Sequence, residues 1–496
     1  MKRIASLILF VMLASILAAC GGTDGAASNA VTAEATTAAS VGTGTDSTAS
    51  AAASIAASTD AAAASTAAST AASTAASTEA SGAASTAAGG NTTVASVDCT
   101  PKGPKVDRLV WWTRAAEGEP LFESFKTVAQ NYQAAGGSPV EIVTVIDAEF
   151  RNKMSISAPG GEGPDVFGPI AHDWLGEFAL QKIALPLQRE QITSSDDIID
   201  SAYAAATADG QLYGIPAWVE SVALIYNKDL VPNPPKTWDE LVQTANSLTQ
   251  GDVYGFGFPL LEQYHEGGFF NGFGSYIFKY DNGQFNIEDI GLNNDAGVQA
   301  AKFLRDMYYQ KQPQLPEVAI DRANMHTAQE GMMEEGKIAM TINGPWREGP
   351  LQRAGINYGV AVLPTLPNGE PMVPFLGVQV FGVNAYGKNQ EAAIDFANFV
   401  TCTDSIVEQF KVDPKTPVRQ SALQTSEVQS NPNIETWNEQ AAQGVPMPNI
   451  PAMGQVWKPW GDVMDAIVLQ QAPDDQIKPL LDTAVEQIKA AIAQTQ

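Results

Sequence analysis

An α/β architecture divided into two lobes is what this sequence predicts, on three observations. After a long opening stretch of Ala, Ser, Thr and Gly, about 390 residues remain, more than one hydrophobic core normally supports. In that remainder, strand-like apolar runs alternate with helix-like runs, the pattern of parallel strands joined by helices. Capping and turn residues punctuate the runs where such a fold needs them.

Leu109-Val110-Trp111-Trp112 reads as a strand leading into a helix through Tyr132. Val140 to Val145 reads as a second strand with its helix, and Asp165 to Phe167 as a third. In Thr237-Trp238-Asp239-Glu240 the threonine is an N-cap with Glu three residues on, a capping box. Gly255 to Leu261 is glycine-rich but flanked by aromatics, and it reads as a strand rather than a phosphate loop. Asp281-Asn282-Gly283 reads as a tight hairpin turn.

The opening residues follow a different logic. Lys2-Arg3, an apolar run from Ile4 to Ile16, and Leu17-Ala18-Ala19-Cys20 read as a secretory signal, too brief for a stable membrane helix. The small residues before Cys20 resemble a lipoprotein signal, which implies removal of residues 1–19 and acylation of the Cys20 sulfur. The alternative is an ordinary secretory peptide with an incidental cysteine. Residues 20–98, the acylated cysteine followed by an aromatic-free stretch with recurring Ala-Ala-Ser-Thr, bury too little apolar surface to offset their conformational entropy and read as a disordered tether. Such a coil reaches roughly 50 Å, taking about 5–6 Å times the square root of its length.

A formal net charge of −27 and a pI near 4.4 argue against nucleic acid or anionic lipid headgroups as ligands of the folded domain. The three histidines, His172, His265 and His326, form no metal-ligand spacing. No GxSxG, GxxxxGKS or GxGxxG motif is present, so no cofactor, metal or catalytic residue is expected. What remains is a pairing of aromatics in irregular segments with carboxylates. A pyranose packs its C–H faces on Trp or Tyr rings and offers hydroxyls to Asp and Glu acceptors. Trp346 follows a Gly-Pro turn, Trp457 follows Pro448-Asn449-Ile450-Pro451, and Tyr264 lies two residues after Glu262 in what reads as a loop. A tryptophan in a domain of this size is more often core than platform, and Trp111, Trp218 and Trp238 are assigned to the core.

Four segments, in order, carry a resemblance: YGIPAWVESVALIYNKDLVPNPPKTWDEL from Tyr213, YIFKYDNGQFNIEDIGLNNDAG from Tyr276, Gly336 to Asn384 with its NGPWREGP turn, and VPMPNIPAMGQVW from Val445. Together they resemble the maltose/maltodextrin-binding proteins, the extracellular solute-binding subunits of sugar ABC importers. The resemblance implies a two-lobe periplasmic-binding-protein fold (type II), each lobe a sheet flanked by helices. It places residues 99–219 and 376–429 in one lobe and residues 220–375 and 430–496 in the other, with crossings near Val219, Phe375 and Gln429. It implies a maltodextrin-type oligosaccharide in the groove between lobes, permease subunits of an ABC importer as partners, a monomer held to the membrane by its lipid, and no enzymatic activity. Trp346, Trp457 and Tyr264 match the ring-stacking aromatics, and Glu262, Glu220 and Asp173 match carboxylates that bond sugar hydroxyls. Trp174 stands where the family has an arginine, and Pro169 or Ile170 where it has a tryptophan, so Trp174 is a candidate substitute platform. Glu117 is the contact left where the family has an Asp-Lys pair.

With Cys20 taken by the lipid, Cys99 and Cys402 remain. An even pair outside the cell suggests a disulfide, and the implied fold puts both in one lobe; two unrelated thiols are the alternative. Two other functional readings stand beside the sugar binder. One is the same fold with another oligosaccharide or solute. The other is a lipid-anchored glycoside hydrolase, which requires two carboxylates about 5–9.5 Å apart across the sugar bond.

Overall fold

The computed structural model describes Val97, residues 99–281 and residues 284–495. The signal segment, Cys20, the tether and the Asn282-Gly283 turn lie outside the described residues. The strands flanking that turn, Phe278–Asp281 and Gln284–Ile290, pair antiparallel with Asp281 opposite Gln284.

Strand β1 (Leu109–Thr113) lies between β2 (Val140–Thr144) and β3 (Val166–Ala171), parallel to both, with Leu109 opposite Val140 and Trp111 opposite Val166. The helices Pro120–Ala134, Asp147–Ser157 and Asp173–Leu180 follow them in turn. The parallel order ends at β3. The long strand Phe375–Val383 returns through the sheet antiparallel to β3 and to the strand Ile215–Glu220, and Thr416–Pro417 adds an antiparallel edge. A second sheet, Met340–Asn343, Ala223–Asn227 and Tyr358–Ala361, is wholly antiparallel. The alternation of strand and helix signals thus predicts parallel pairing correctly where each strand is followed by its own crossover helix; Phe375–Val383, which enters from the other lobe, runs the other way.

Most buried apolar residues fall into two large clusters. One gathers residues between Leu109 and Val219 with residues between Val378 and Ala422, and holds Trp111 and Trp218. The other gathers residues between Val222 and Phe375 with residues between Met447 and Ile492, and holds Trp238. Each cluster drives the folding of its own lobe, since burial of apolar area is the dominant favourable term.

Local chemistry sets the element ends. Thr237 caps the helix Trp238–Leu248 by accepting from Glu240 N–H, while the Glu240 carboxylate reaches one residue further back, to Lys236 N–H. The segment Gly255 to Leu261 is not a strand as expected. It runs extended beside Met340–Asn343, tied by Gly257 N–H to Met340 O, because Phe256 and Phe258 are drawn fully into the core. Cys99 and Cys402 are joined in a disulfide with Cα atoms 5.8 Å apart, tying the start of the described chain to the helix Thr403–Phe410 that follows Cys402.

Candidate functional site

A cavity of about 580 Å³ opens where the two lobes meet. It draws Arg114, Asp147, Arg151, Asp173 and Trp174 from the first lobe and Glu262, Tyr264, His265, His326, Trp346 and Trp457 from the second. Glu220, Gly377, Gln379 and Lys415 line it at the strands where the lobes join. Seven of the eight expected contacts are therefore brought together. Glu117 is not: it sits exposed in the turn before Gly118, and Arg114, three residues earlier and directly after β1, reaches the cavity instead.

Tyr264, Trp346 and Trp457 are half-buried, each packed against the second core with part of its ring left to the cavity. Tyr264 is not in a loop as expected. Glu262 accepts from His265 N–H as the N-cap of the helix Gln263–Phe273, which puts Tyr264 in its first turn. The Tyr264 ring lies 6.4 Å from the Trp346 ring and 6.2 Å from that of Phe375. Trp346 occupies a short helical turn whose indole folds back over Gly344, where a Cβ would fall 2.0 Å from the ring. Arg347 anchors this turn to the helix Met325–Glu334 through Glu330 and Glu334. Gly377 leaves room in the same way, since a Cβ there would meet the Glu220 side chain and the Tyr264 hydroxyl oxygen, each at 3.3 Å.

Trp174 reaches the cavity but is only 9% exposed, and the guanidinium carbons of Arg114 and Arg151 lie 5.3 and 5.7 Å from its ring centroid. Its surface is largely engaged by cations, at a cation–π distance. It therefore offers less of a platform than its sequence position suggests.

The charges around the cavity are largely paired with one another. Arg114 bonds Asp147 at 2.6 Å and the Gln379 side-chain oxygen at 2.9 Å; Arg151 pairs with Glu177; Lys415 lies 3.0 Å from Asp413 and 3.8 Å from Glu220. Gln379 also donates to Glu220 Oε1. Burial pushes the Asp173 carboxyl up, against the opposing pull of Arg151 and the Trp457 indole. Glu262 is held below the usual carboxylate range: burial alone would raise it, but the hydrogen bond and charge of His265 and the charge of His326 outweigh that. Burial and the neighbouring His265 lower His326.

Sequence reasoning missed Arg114, Asp147, Arg151, His265, His326, Gln379 and Lys415. Their partners lie far away along the chain, so no local spacing signals them. Only His265, three residues from its capping Glu262, and Lys415, two residues from its partner Asp413, had a readable local relation.

The match to a model of the bacterial extracellular solute-binding protein family spans residues 127–436. The chain belongs to that family. A galactooligosaccharide-binding protein of Bacillus subtilis is 29% identical over 391 residues, 78% of this chain and 90% of that one. A maltooligosaccharide ABC transporter solute-binding lipoprotein of Streptococcus pneumoniae is 29% identical over 374 residues, 74% of this chain and 85% of that one. Among solved structures, the Thermus thermophilus maltotriose binding protein bound with maltotriose superposes with a TM-score of 0.71 at 34% identity, covering 77% of this chain and all of that one. The fold is accordingly the two-lobe one of these extracellular solute-binding proteins.

Proposed function

We propose that this family member is a lipid-anchored sugar-binding subunit that captures neutral maltodextrin-type oligosaccharides between its lobes and hands them to the permease subunits of an ABC importer. One observation carries the reading: three half-exposed aromatic rings, Tyr264, Trp346 and Trp457, line a cavity whose cations are already paired with protein carboxylates. An anionic ligand would have to break those pairs, whereas a neutral sugar needs only ring faces and hydroxyl partners. Its volume of about 580 Å³ lies within the usual range of small-ligand sites.

In this reading Glu220, Glu262 and Asp173 accept sugar hydroxyls, and Trp346, Tyr264 and Trp457 stack the rings. The lobes divide near Val219, Phe375 and Gln429, a division that the two apolar clusters support. Contacts drawn from both lobes favour a closed state, because only that state makes them all at once. In the same reading Cys20 carries the lipid.

Calorimetric titration with maltotriose tests the reading: saturable binding is expected, and its absence against a full maltodextrin series would refute it. The Bacillus subtilis relative supports a second ligand, a galactooligosaccharide, so that sugar belongs in the same titration. Chromatography of maltoheptaose after long incubation checks the remaining alternative. Intact sugar is expected; shorter products would make the chain a hydrolase.

A further inference from the structure

His172 is 1% exposed and makes three hydrogen bonds to Val378 and Met447 at the junction of the lobes. Its backbone N–H donates to Val378 O at 3.0 Å, its ring Nδ1 meets the Val378 N–H at 3.0 Å, and its ring Nε2 meets Met447 O at 2.9 Å. A backbone amide can only donate and a carbonyl can only accept, so this pattern assigns one tautomer, with a bare Nδ1 and a hydrogen on Nε2. The two partners belong to different parts of the site. Val378 is in the long returning strand, one residue after Gly377 and one before Gln379 of the cavity floor. Met447 lines the cavity and opens the segment that ends at Trp457. That segment is pressed tightly on the helix following His172, for a Cβ at Gly176 would fall 2.7 Å from Pro451 N.

The residue next in sequence is Asp173, whose carboxylate accepts from the Trp457 indole at 3.1 Å. His172 therefore fixes both ends of that contact: the helix start that presents Asp173, and the segment that delivers Trp457. We infer that His172 is a positioning residue of the ligand site, acting through the Asp173–Trp457 pair without touching the sugar. Within the sugar-binding reading, on which this rests, its loss costs affinity because a stacking ring and a hydroxyl acceptor lose their common register.

The test is a double-mutant cycle read by maltotriose calorimetry, with His172→Phe, which keeps a flat ring and removes both side-chain hydrogen bonds, and Trp457→Phe, which keeps a ring and removes the indole N–H. His172→Phe alone is expected to weaken binding by about tenfold, the scale of unsatisfied buried partners. In the Trp457→Phe background the same change is expected to cost less than about twofold, because the pair it serves is already gone. In sugar-free protein, the Trp457 indole N–H resonance, identified by its absence in Trp457→Phe, should move in His172→Phe. If His172→Phe fails to fold, His172→Asn, which retains an acceptor for Val378, and His172→Gln, which retains a donor for Met447, take its place and are each expected to lose part of the affinity. Unaltered affinity, or equal losses in both backgrounds with an unmoved indole resonance, would overturn the inference. Wild-type protein that binds no maltotriose would sink the sugar reading instead, and the indole resonance would still decide the role of His172.

Discussion

The indole Nε1 of Trp457 donates to Asp173 Oδ2 at 3.1 Å, joining a ring of one lobe to a carboxylate of the other. The contact sets an aromatic face beside a carboxylate, the two groups that the proposed sugar reading asks of opposite walls of one groove. It also offsets part of the cost of burying Asp173, whose carboxyl burial would otherwise leave unsatisfied. Around it the pattern repeats: the aromatic groups come chiefly from the second lobe, and the paired cations Arg114 and Arg151 from the first.

Trp346→Ala should weaken maltotriose binding by about 1–3 kcal/mol, the scale of a buried aromatic contact. The ring packs against the second core only in part, so the folded state should persist. Calorimetry beside a thermal melt checks this; wild-type affinity in the variant would remove Trp346 from the site.

Gly344→Ala probes the same ring by a different route. Its backbone is extended, with φ of −104°, so alanine brings no backbone strain. The new methyl would fall 2.0 Å from the Trp346 ring carbons and must displace the indole. Sugar affinity should drop nearly as far as in Trp346→Ala, and the two changes combined should cost little more than either, since both remove one group. Full additivity in the double variant would contradict that geometry.

Much of this fold could be read directly, and the reasons are local. β1, β2, β3 and their helices are written in adjacent apolar and periodic runs, and Thr237 announces its helix with a hydroxyl three residues from Glu240. The aromatic residues of the cavity were legible because turn residues isolate them from any periodic core pattern, as Gly344-Pro345 does for Trp346. What escaped depends on distance along the chain. Arg114 finds Gln379 across a sheet, and Lys415, just before the edge strand Thr416–Pro417, finds Glu220. The antiparallel return of Phe375–Val383 was hidden for the same reason, since strand direction follows from which lobe the chain arrives from. Tyr264 was misplaced because Glu262 is a less familiar cap than Ser, Thr, Asp or Asn, so the helix start went unmarked.

Reducing the Cys99–Cys402 disulfide, or replacing Cys402 by Ser, should destabilise the fold by about 2–5 kcal/mol, the usual cost of losing such a cross-link. Its sequence separation of 303 residues closes most of the folded chain into one loop, so most of the effect should act through the unfolded ensemble. Neither cysteine lines the cavity, so maltotriose affinity below the melting transition should be unchanged. Denaturant unfolding with and without reductant measures the first expectation; a large affinity change with intact fold would show coupling to the site.

Glu262 gives stability a pH dependence whose sign follows from its environment. His265 and His326 hold its carboxyl below the usual value despite burial, so the folded state binds the proton less readily than the unfolded chain, where Glu titrates near about 4.3. The stabilisation is therefore fully present above that ordinary value and disappears as pH falls through the depressed folded value. Glu262→Gln keeps the shape and removes the charge, and amide oxygen still accepts from His265 N–H. The variant should melt lower than wild type just above the ordinary carboxylate range, and the difference should close as the pH falls below that range. Thermal melts of both proteins across that range provide the check, and a gap that stays constant with pH would mean that the charge of Glu262 contributes nothing to the fold.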